Sequence, residues 1–275
     1  MPIGYRHLNT VFPFSTLTSL SYYSNYITRM NGKGRWDDII IDKYWGEFNF
    51  GNPVSGLFIH VNANYDKNHH LPLYESWLEG DIYCMKTSDK RSNSSRKNLN
   101  AYISKAFGMG KLTINIGEDA TWNDFERLAA NNLVAYQNRH LVSYIKIAMM
   151  PCQLFSVEEK SEYQYSKQLN KQDSSLDCEA LHTTQHDLRL ILMPGKWQIE
   201  WSNSLYHSSD KNIDAAFFSD ASIAYKPKRY EISLNVSNIF GSKKYERRTI
   251  TDNYMYYSIN HLRPREILCN LTLYL

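Results

Sequence analysis

The sequence has no long apolar run and no signal-like amino terminus. No stretch approaches the roughly 18 apolar residues that a membrane-spanning helix requires. The opening letters, MPIGYRHLNTVF, lack the charged start, apolar centre and small-residue cleavage site of a secretory signal. The mean hydropathy of −0.52 suggests a soluble chain, but strands that alternate apolar and polar residues give the same average. Low hydropathy therefore excludes helical spans and leaves a β-structured membrane protein open.

Cysteine is scarce, with 4 residues in 275, at positions 84, 152, 178 and 269. None of these spacings contains the close pairs of a zinc site or a redox motif. The spacings favour separate thiols, and a single disulfide stays open. The chain also lacks an excess of one charge, because 31 basic residues face 28 acidic ones. The basic residues are scattered along the sequence, so we expect no nucleic acid partner.

Aromatic residues are abundant: 21 Tyr, 11 Phe and 6 Trp. Tyrosine combines an apolar ring with a polar tip, which suits a place where one end is apolar and the other is wet. A sheet surface, a sugar-binding face and the interfacial belt of a membrane protein all meet that description. Composition alone does not choose among them.

Alternation of apolar and polar residues recurs from end to end and predicts β-strands. In residues 197–205, Trp197, Ile199 and Trp201 alternate with Gln198 and Glu200. Residues 57–65, 112–117, 230–237 and 267–275 show the same pattern. Helical periodicity is weak, and the segment 122–135 is the best candidate for a short helix. The pattern predicts an all-β fold.

Short and long connections alternate along the chain. Tight turns are predicted near Asn52-Pro53, Gly108-Met109-Gly110, Pro151-Cys152, Pro194-Gly195 and Lys226-Pro227. The longer polar segments between them are 66–98, 123–137, 167–184 and 208–216, and the part around 77–85 is assigned to an extended extracellular hairpin. Outer-membrane barrels have this asymmetry, with short periplasmic turns and longer external loops. We therefore predict an antiparallel up-and-down transmembrane β-barrel with about 12 strands, each near the ~10 residues that a tilted membrane strand needs.

The carboxy-terminal part resembles the end of a TonB-dependent outer-membrane receptor. The segments that carry the resemblance are FSDASIAY at 218–225, the turn KPKR at 226–229, and YEISLNVSNIF at 230–240 with its Asn238-Ile239-Phe240 triplet. A tyrosine-rich loop, LRPR at 262–265 and a strand that runs to the last residue follow. The final strand also resembles the signal that the barrel-assembly machinery reads. Its residues are Ile267, Leu271, Leu273, Tyr274 and Leu275, although that signal usually ends in Phe.

The resemblance implies an outer-membrane protein that binds a large nutrient, such as a metal chelate, cobalamin or glycan, and imports it with energy supplied through TonB. The implied partners are outer-membrane lipid, the barrel-assembly machinery and, through a plug domain, TonB. The family has about 22 barrel strands after its plug, so residues 1–275 are expected to be the carboxy-terminal portion of the barrel, without plug or signal. The alternatives are a self-contained small barrel acting as a passive pore or adhesin, and a soluble sugar-binding β-protein.

Candidate chemical groups are few, and we expect no enzyme, cofactor or metal. His182 and His186 lack the helical context and the glutamate of a zinc-protease motif. His69-His70 is assigned to a solvated loop, and the neighbouring carboxylates Glu118-Asp119 and Glu158-Glu159 point to opposite faces of a strand. The residues assigned to possible ligand contact are Tyr254, Tyr256 and Tyr257, in the last long loop.

Overall fold

The computed structural model describes residues 1–11, 19–32, 34, 38–129, 132–250 and 255–274. Within these ranges the chain is β-structured, and its one helical element is a 3-10 turn at Ser174–Leu176. The strands are β1 (Ile3–Val11), β2 (Ser21–Asn25), β3 (Thr28–Asn31), β4 (Asp38–Asn52), β5 (Leu57–Glu79), β6 (Ile82–Phe107), β7 (Leu112–Ala129), β8 (Asn132–Cys152), β9 (Phe155–Asn170), β10 (Leu181–Leu192), β11 (Trp197–Ser208), β12 (Ala216–Tyr225), β13 (Tyr230–Ser237), β14 (Lys244–Ile250), β15 (Met255–His261) and β16 (Glu266–Leu273). The all-β prediction is confirmed.

Twelve strands form one continuous sheet in the order β1-β4-β5-β6-β7-β8-β9-β10-β11-β12-β13-β16. Every neighbouring pair in this order is antiparallel. The small hairpin β2–β3 joins the sheet through a parallel pairing of β3 with β6. The hairpin β14–β15 forms a separate two-stranded sheet between β13 and β16. The predicted up-and-down order and strand number are confirmed.

The two ends of the sheet differ in how the strands are connected. At one end, which we call the turn end, the strands join through residues 53–56, 108–111, 153–154, 193–196 and 226–229. Glycine permits the tight turns there, since Gly56 and Gly195 adopt φ values of 66° and 65°. At the opposite, loop end, the chain forms the longer segments 171–180, 209–215 and 238–265 or extends its strands. The predicted alternation of short and long connections is confirmed at 171–180 and 209–215, whereas β5 joins β6 through residues 80–81 alone.

The predicted helix at 122–135 is wrong. Residues 122–129 continue β7, and residues 132–135 begin β8, with which β7 pairs. Phe125 and Tyr136 lie opposite each other with stacked rings 5.8 Å apart. The Arg127 guanidinium lies 5.0 Å and 5.2 Å from these two ring centres. Cross-strand aromatic and cation–π contacts thus stabilise the strand conformation of residues 122–129 and 132–135, although their sequence mixes charged and apolar residues.

The long polar segment 66–98 is also not a loop. It forms the outer parts of β5 and β6, which meet in a hairpin at residues 80–81. The extended hairpin predicted around 77–85 is therefore present. His69 and His70 belong to β5, at a register shift between Asn68 and Leu71, where His70 adopts a φ of 62°. Their assignment to a loop was wrong because a bulged strand tolerates polar residues as a loop does.

The sheet is sheared in the manner of a barrel wall. One line of directly opposed residues runs through Asn52, Leu57, Lys105, Ile114, Ile147, Glu159, Leu188, Asn203 and Ser219. The line begins at Asn52, the turn-end residue of β4. It reaches β12 at Ser219, which lies six residues from Tyr225, the turn-end residue of that strand. This drift corresponds to a strand tilt of about 30°, close to the tilt of about 35–45° in membrane barrels.

The sheet has little interior. The buried apolar residues in the described ranges are Leu73, Cys84, Ala120, Leu181, Tyr206, Ile213, Ala216 and Ala224. The chain exposes 17754 Å² of surface, whereas a soluble monomer of this mass exposes about 12,000 Å². The excess surface includes many large apolar side chains, among them Ile116, Trp201 and Leu271, which are 55%, 44% and 64% exposed. The sheet does not close around an apolar core.

Candidate functional site

The two faces of the sheet have opposite chemistry. Directly opposed residues in paired strands share a face of the sheet. The register therefore assigns the side chain of every paired residue to one of the two faces. Near the turn end, one face is apolar on all twelve strands; we call it the apolar face. Its members include Ile3, Phe50, Ile59, Ile103, Ile114, Ile147, Val157, Leu190, Ile199, Ile223, Leu234 and Leu271. The predicted alternation therefore sums to one continuous apolar surface.

Aromatic side chains line both margins of the apolar face. Phe107, Phe155, Trp197, Tyr225 and Tyr230 each begin or end a strand at the turn end. The Trp197 and Tyr225 rings lie 4.8 Å apart, and the Tyr225 and Tyr230 rings lie 6.2 Å apart. Trp197 and Tyr230 thus lie at the turn-end margin, next to the tight turns predicted at Pro194-Gly195 and Lys226-Pro227.

A second aromatic row lies toward the loop end, made of Tyr44, Tyr65, Trp122 and Tyr163. The Tyr44 and Tyr65 rings are stacked 6.0 Å apart. Tyr65 and Tyr163 each lie eight residues along the strand from its turn end. Eight residues of a strand tilted by about 30° rise about 23 Å, close to the ~25 Å apolar band of a membrane barrel.

Basic residues on this face lie near its margins. Lys97 and Arg139 are the direct strand partners of Trp122, and Lys167 follows as the partner of Arg139. At the turn end, the Lys105 ammonium donates to the Ser55 carbonyl oxygen at 2.6 Å and lies over the Phe107 ring. Long basic side chains at such margins place their stems on apolar surface and their charges in water or among headgroups.

The opposite face is polar, and its side chains bond to one another. The Arg189 guanidinium donates twice to the Glu200 carboxylate, at 2.7 Å and 2.9 Å. Ser204 donates to Asp187 at 2.6 Å. Other members of this polar face are Asn62, Asn64, Asn100, Thr113, Asn115, Lys146, Glu158, Lys160, Glu162, Ser222, Ser233, Asn235 and Asn270. Such a surface suits a water-filled lumen.

The hairpin β14–β15 covers the polar face at the loop end. Tyr245 packs edge-on against Tyr206, with ring centres 5.1 Å apart, and against Phe218 at 5.8 Å. Tyr206, Ile213 and Ala216 form the buried cluster beneath it. Residues 247–250 of β14 also line a small cavity together with His140, Gln164, Ser166 and Thr183 of the sheet. The hairpin therefore reaches back over β8, β9 and β10.

An ion pair fixes the hairpin to the loop between β11 and β12. The Arg248 guanidinium donates to Asp210 Oδ2 at 2.8 Å, and the Asp210 side chain is only 8% exposed. The backbone N–H of Asn212 donates to Asp210 Oδ1 at 3.0 Å. The Asn212 N–H and the Arg248 guanidinium hold the pKa of Asp210 below its usual range, because both stabilise the charged carboxylate.

The structure separates the residues predicted for ligand contact and for assembly. Tyr256 and Tyr257 lie on β15, both about half exposed, and Tyr254 is outside the described residues. Ile267, Leu271 and Leu273 point from β16 along the apolar face, each 64–65% exposed. Tyr274 points to the polar face, where its hydroxyl donates to Glu231 at 2.8 Å. Leu275 is outside the described residues.

The histidine and carboxylate candidates lie apart from one another. His182 is hydrogen-bonded with Tyr163, and His186 with Ser161. Glu118 lies on the apolar face, and its neighbour Asp119 bonds with Asn100 on the polar face. No group of three His, Cys, Asp or Glu side chains in the described ranges is arranged to hold a metal ion. No helix among the described residues is long and apolar enough to span a membrane.

Sequence reasoning missed the Arg248–Asp210 pair and the packing of Tyr245 on Tyr206. The paired residues are 38 and 39 positions apart in the sequence, and the segment between them contains no recognisable motif. The sequence signal was limited to a run of charged and aromatic residues, 244–248, that does not alternate cleanly. Such a run does not indicate which surface it contacts.

Comparisons with known proteins give only distant likenesses. No protein-family model matches the sequence, and no curated protein matches it significantly. Solved structures that are similar include the following two. One is the ferric preacinetobactin receptor BauA from Acinetobacter baumannii, with 8% identity, a TM-score of 0.37, and coverage of 73% of this chain and 40% of that one. The other is the RagAB peptide importer, with 11% identity, a TM-score of 0.40, and coverage of 81% and 36%.

This chain therefore spans only 40% and 36% of the length of those two structures. Those two proteins are a receptor and an importer, the kind of protein that the resemblance of residues 218–275 implies. At these identities and TM-scores, the likeness carries no argument about function.

Proposed function

We propose that residues 1–275 form wall strands and external loops of an outer-membrane β-barrel that serves as a receptor or transporter. The observation that carries this proposal is the division of the twelve-stranded sheet into an apolar face and a polar face. In water, an uncovered apolar face of this size favours aggregation. In a bilayer, the same face meets hydrocarbon while the polar face lines a watery interior.

The dimensions of the apolar face support the bilayer as its surroundings. The two aromatic rows lie about 23 Å apart, and such rows belong at the two membrane interfaces. Trp201 lies between these rows, and its indole N–H donates to Ser219 Oγ at 2.9 Å within the sheet. A polar N–H in the hydrocarbon layer needs an internal partner of this kind.

The two edge strands, β1 and β16, are the reason to propose that the complete wall contains further strands. In the described sheet, β1 and β16 each pair with a neighbour on one side only. Unpaired backbone groups facing lipid cost several kcal/mol each, so we propose that further strands complete the wall. Strand β1 runs away from the turn end and β16 runs toward it. An even number of added strands therefore keeps every pair antiparallel.

The finer proposal is TonB-dependent uptake of a large nutrient such as a metal chelate, cobalamin or glycan. The hairpin β14–β15 and the other loop-end segments supply ligand contacts, with Tyr254, Tyr256 and Tyr257 as candidates. The barrel-assembly machinery recognises the final strand through Ile267, Leu271, Leu273, Tyr274 and Leu275. Coupling to TonB requires a plug, so residues 1–275 alone provide wall and loops and do not transport.

Tryptophan quenching in vesicles tests the membrane proposal. The chain is inserted into vesicles whose phospholipids carry bromine on their acyl chains. We expect strong quenching that falls in Trp201→Phe, since Trp201 lies on the apolar face, and that persists in Trp45→Phe, since Trp45 lies on the polar face. A chain that stays monomeric and folded in buffer without detergent contradicts the proposal and favours a soluble sugar-binding protein.

Uptake by cells tests the finer proposal. Cells that express residues 1–275, alone or with a plug and the remaining strands, receive labelled ferric chelates, cobalamin or oligosaccharides. We expect uptake only in the second case and only when TonB is present. TonB-dependent uptake by residues 1–275 alone contradicts the proposal, and TonB-independent passage of small solutes indicates a self-contained pore.

A further inference from the structure

Polar residues interrupt the apolar face on β7, β9 and β10, and Asn203 on β11 and Ser219 on β12 lie on the same face, each six residues from the turn end of its strand. Glu118, Ser161 and His186 each lie six residues from the turn-end residues of their strands, Leu112, Phe155 and Leu192. All three therefore lie at one height, below the aromatic row that includes Tyr163. Glu159 lies two residues closer to the turn end. We call these four residues the polar island.

Part of the polar island is bonded within the chain. Ser161 Oγ donates to the Glu159 carboxylate and lies 2.8 Å from His186 Nδ1. The His186 Nε2 and the exposed Glu118 carboxylate have no partner among the described hydrogen bonds and ion pairs. A polar or charged side chain facing hydrocarbon costs up to several kcal/mol unless it is paired. Lipid tails offer no partner at this depth.

The surface around the polar island forms a cavity. A cavity of about 540 Å³ crosses the apolar face from β5 to β10. Its lining includes Glu118, Ser161 and His186 together with apolar residues such as Ile103 and Ile145. A cavity on the outer side of a wall is suited to receive side chains from another protein.

We infer that this part of the apolar face, from β7 to β10, binds a second copy of this chain within the membrane. A two-fold axis along the membrane normal, placed between β8 and β9, preserves height and exchanges the positions of β7 and β10. Glu118 then faces the partner's His186, and His186 faces the partner's Glu118. A hydrogen bond joins the carboxyl group to His186 Nε2, whichever of the two holds the proton.

The charge pattern favours a second copy over a different protein. An acidic group lies on one side of the proposed axis and an imidazole lies on the other, at equal distance in strands and at equal height. This arrangement is self-complementary, as a two-fold interface requires. Lipid gives apolar protein surfaces no hydrophobic driving force for association. The two reciprocal hydrogen bonds therefore supply the preference for self-association.

The inference rests on the proposed membrane location, so the experiment measures both dimerisation and insertion into the bilayer. Dimerisation is measured in vesicles by energy transfer between labelled copies, and insertion is measured by bromolipid quenching of Trp201. We expect Glu118→Leu and His186→Leu each to weaken the dimer at least tenfold while insertion is kept. The matched control is Asp119→Leu, on the polar face of the same strand, which should change dimerisation less than twofold.

Cross-linking tests the position of the axis. In a chain whose four cysteines are replaced by alanine, Ile145→Cys lies beside the proposed axis and should form a disulfide-linked dimer on oxidation. Leu234→Cys, on the apolar face of β13, should not. An inserted wild-type chain that is monomeric, or a dimer unaffected by Glu118→Leu, overturns the inference and leaves the proposed function standing. Loss of quenching in the wild type overturns the proposed function itself.

Discussion

The turn-end half and the loop-end half of the sheet are built on different principles. Apart from Gly117, Ala120, Ser219 and Ala224, the buried residues in the described ranges lie toward the loop end. There, β14–β15 packs over Tyr206, and the outer parts of β5 and β6 bury Leu73, Cys84 and Thr87. The turn-end half buries little and exposes apolar side chains such as Ile103 and Leu273, 50% and 65% exposed.

The difference fits the proposed outer-membrane location, in which the two halves of the sheet are surrounded by two different solvents. The loop-end half covers its own apolar groups, as a protein in water does. The turn-end half leaves one face uncovered, which costs free energy in water but not in hydrocarbon. If this interpretation is right, substitutions of the same kind should have opposite consequences in the two halves.

The largest expected effect is the loss of packing at the loop end. Tyr206→Ala removes a ring that is only 6% exposed and contacts Tyr245, and such truncations cost about 3–5 kcal/mol. We expect β14–β15 to detach and become sensitive to protease while the chain stays in the membrane. The control is Leu205→Ala, whose side chain lies on the apolar face. Equal protease sensitivity in the two variants contradicts the packing described here.

The next effect concerns the turn-end half. Leu234→Arg puts a charge on the apolar face, which costs about 2–4 kcal/mol deep in a bilayer. The control is Asn235→Arg, which puts the same charge on the polar face at the next residue. We expect it to change the free energy of unfolding little. Urea unfolding of the inserted chain measures both. Similar destabilisation by the two substitutions argues against lipid contact at Leu234.

A smaller effect is expected from the ion pair at the loop end. Arg248→Met removes the partner of the nearly buried Asp210 carboxylate, and a charge left unpaired destabilises the hairpin. We expect protease cleavage in β14–β15 to become several-fold faster. Lys211→Met makes the same charge change beside Asp210 and should leave the cleavage rate unaltered, because Lys211 forms no ion pair with another described residue.

The smallest effect is a dependence on pH. The pKa of Asp210 is lowered by the Asn212 N–H and by Arg248, so the carboxylate stabilises the docked hairpin above the usual aspartate pKa. This stabilisation is lost as the pH falls below about 4 and through the lowered pKa. Pepsin cleavage of the hairpin should therefore accelerate with acid in the wild type more than in Asp210→Asn. If the cleavage rates of the wild type and Asp210→Asn rise equally with acid, the pH dependence comes from groups other than Asp210.

The same contrast explains how much of the fold could be predicted from the sequence. Alternation was clear in 197–205 and 230–237 because each strand there separates an apolar face from a polar one. It faded in 66–98 and 122–135, where aromatic pairs, bulges and water-facing groups relax the pattern. Those two regions were predicted as a loop and a helix, although both are strands.

The site was less predictable than the fold. The aromatic margins follow from strand ends that turn residues mark, so Trp197 and Tyr230 could be placed from sequence. The polar island could not, because Glu118, Ser161 and His186 share a height only once the register of four strands is known. The hairpin's position over the polar face likewise depends on contacts such as Arg248 with Asp210, which no local pattern encodes.

The direction of the two edge strands has a consequence for topology. Because β1 begins and β16 finishes on the side of the short connections, Ile3 and Leu273 in the proposed barrel face the same compartment, the interior side of the outer membrane. A short epitope tag fused at either end should stay hidden from antibody on intact cells and become accessible once the envelope is permeabilised. A tag inserted at Asn212 should be stained on intact cells.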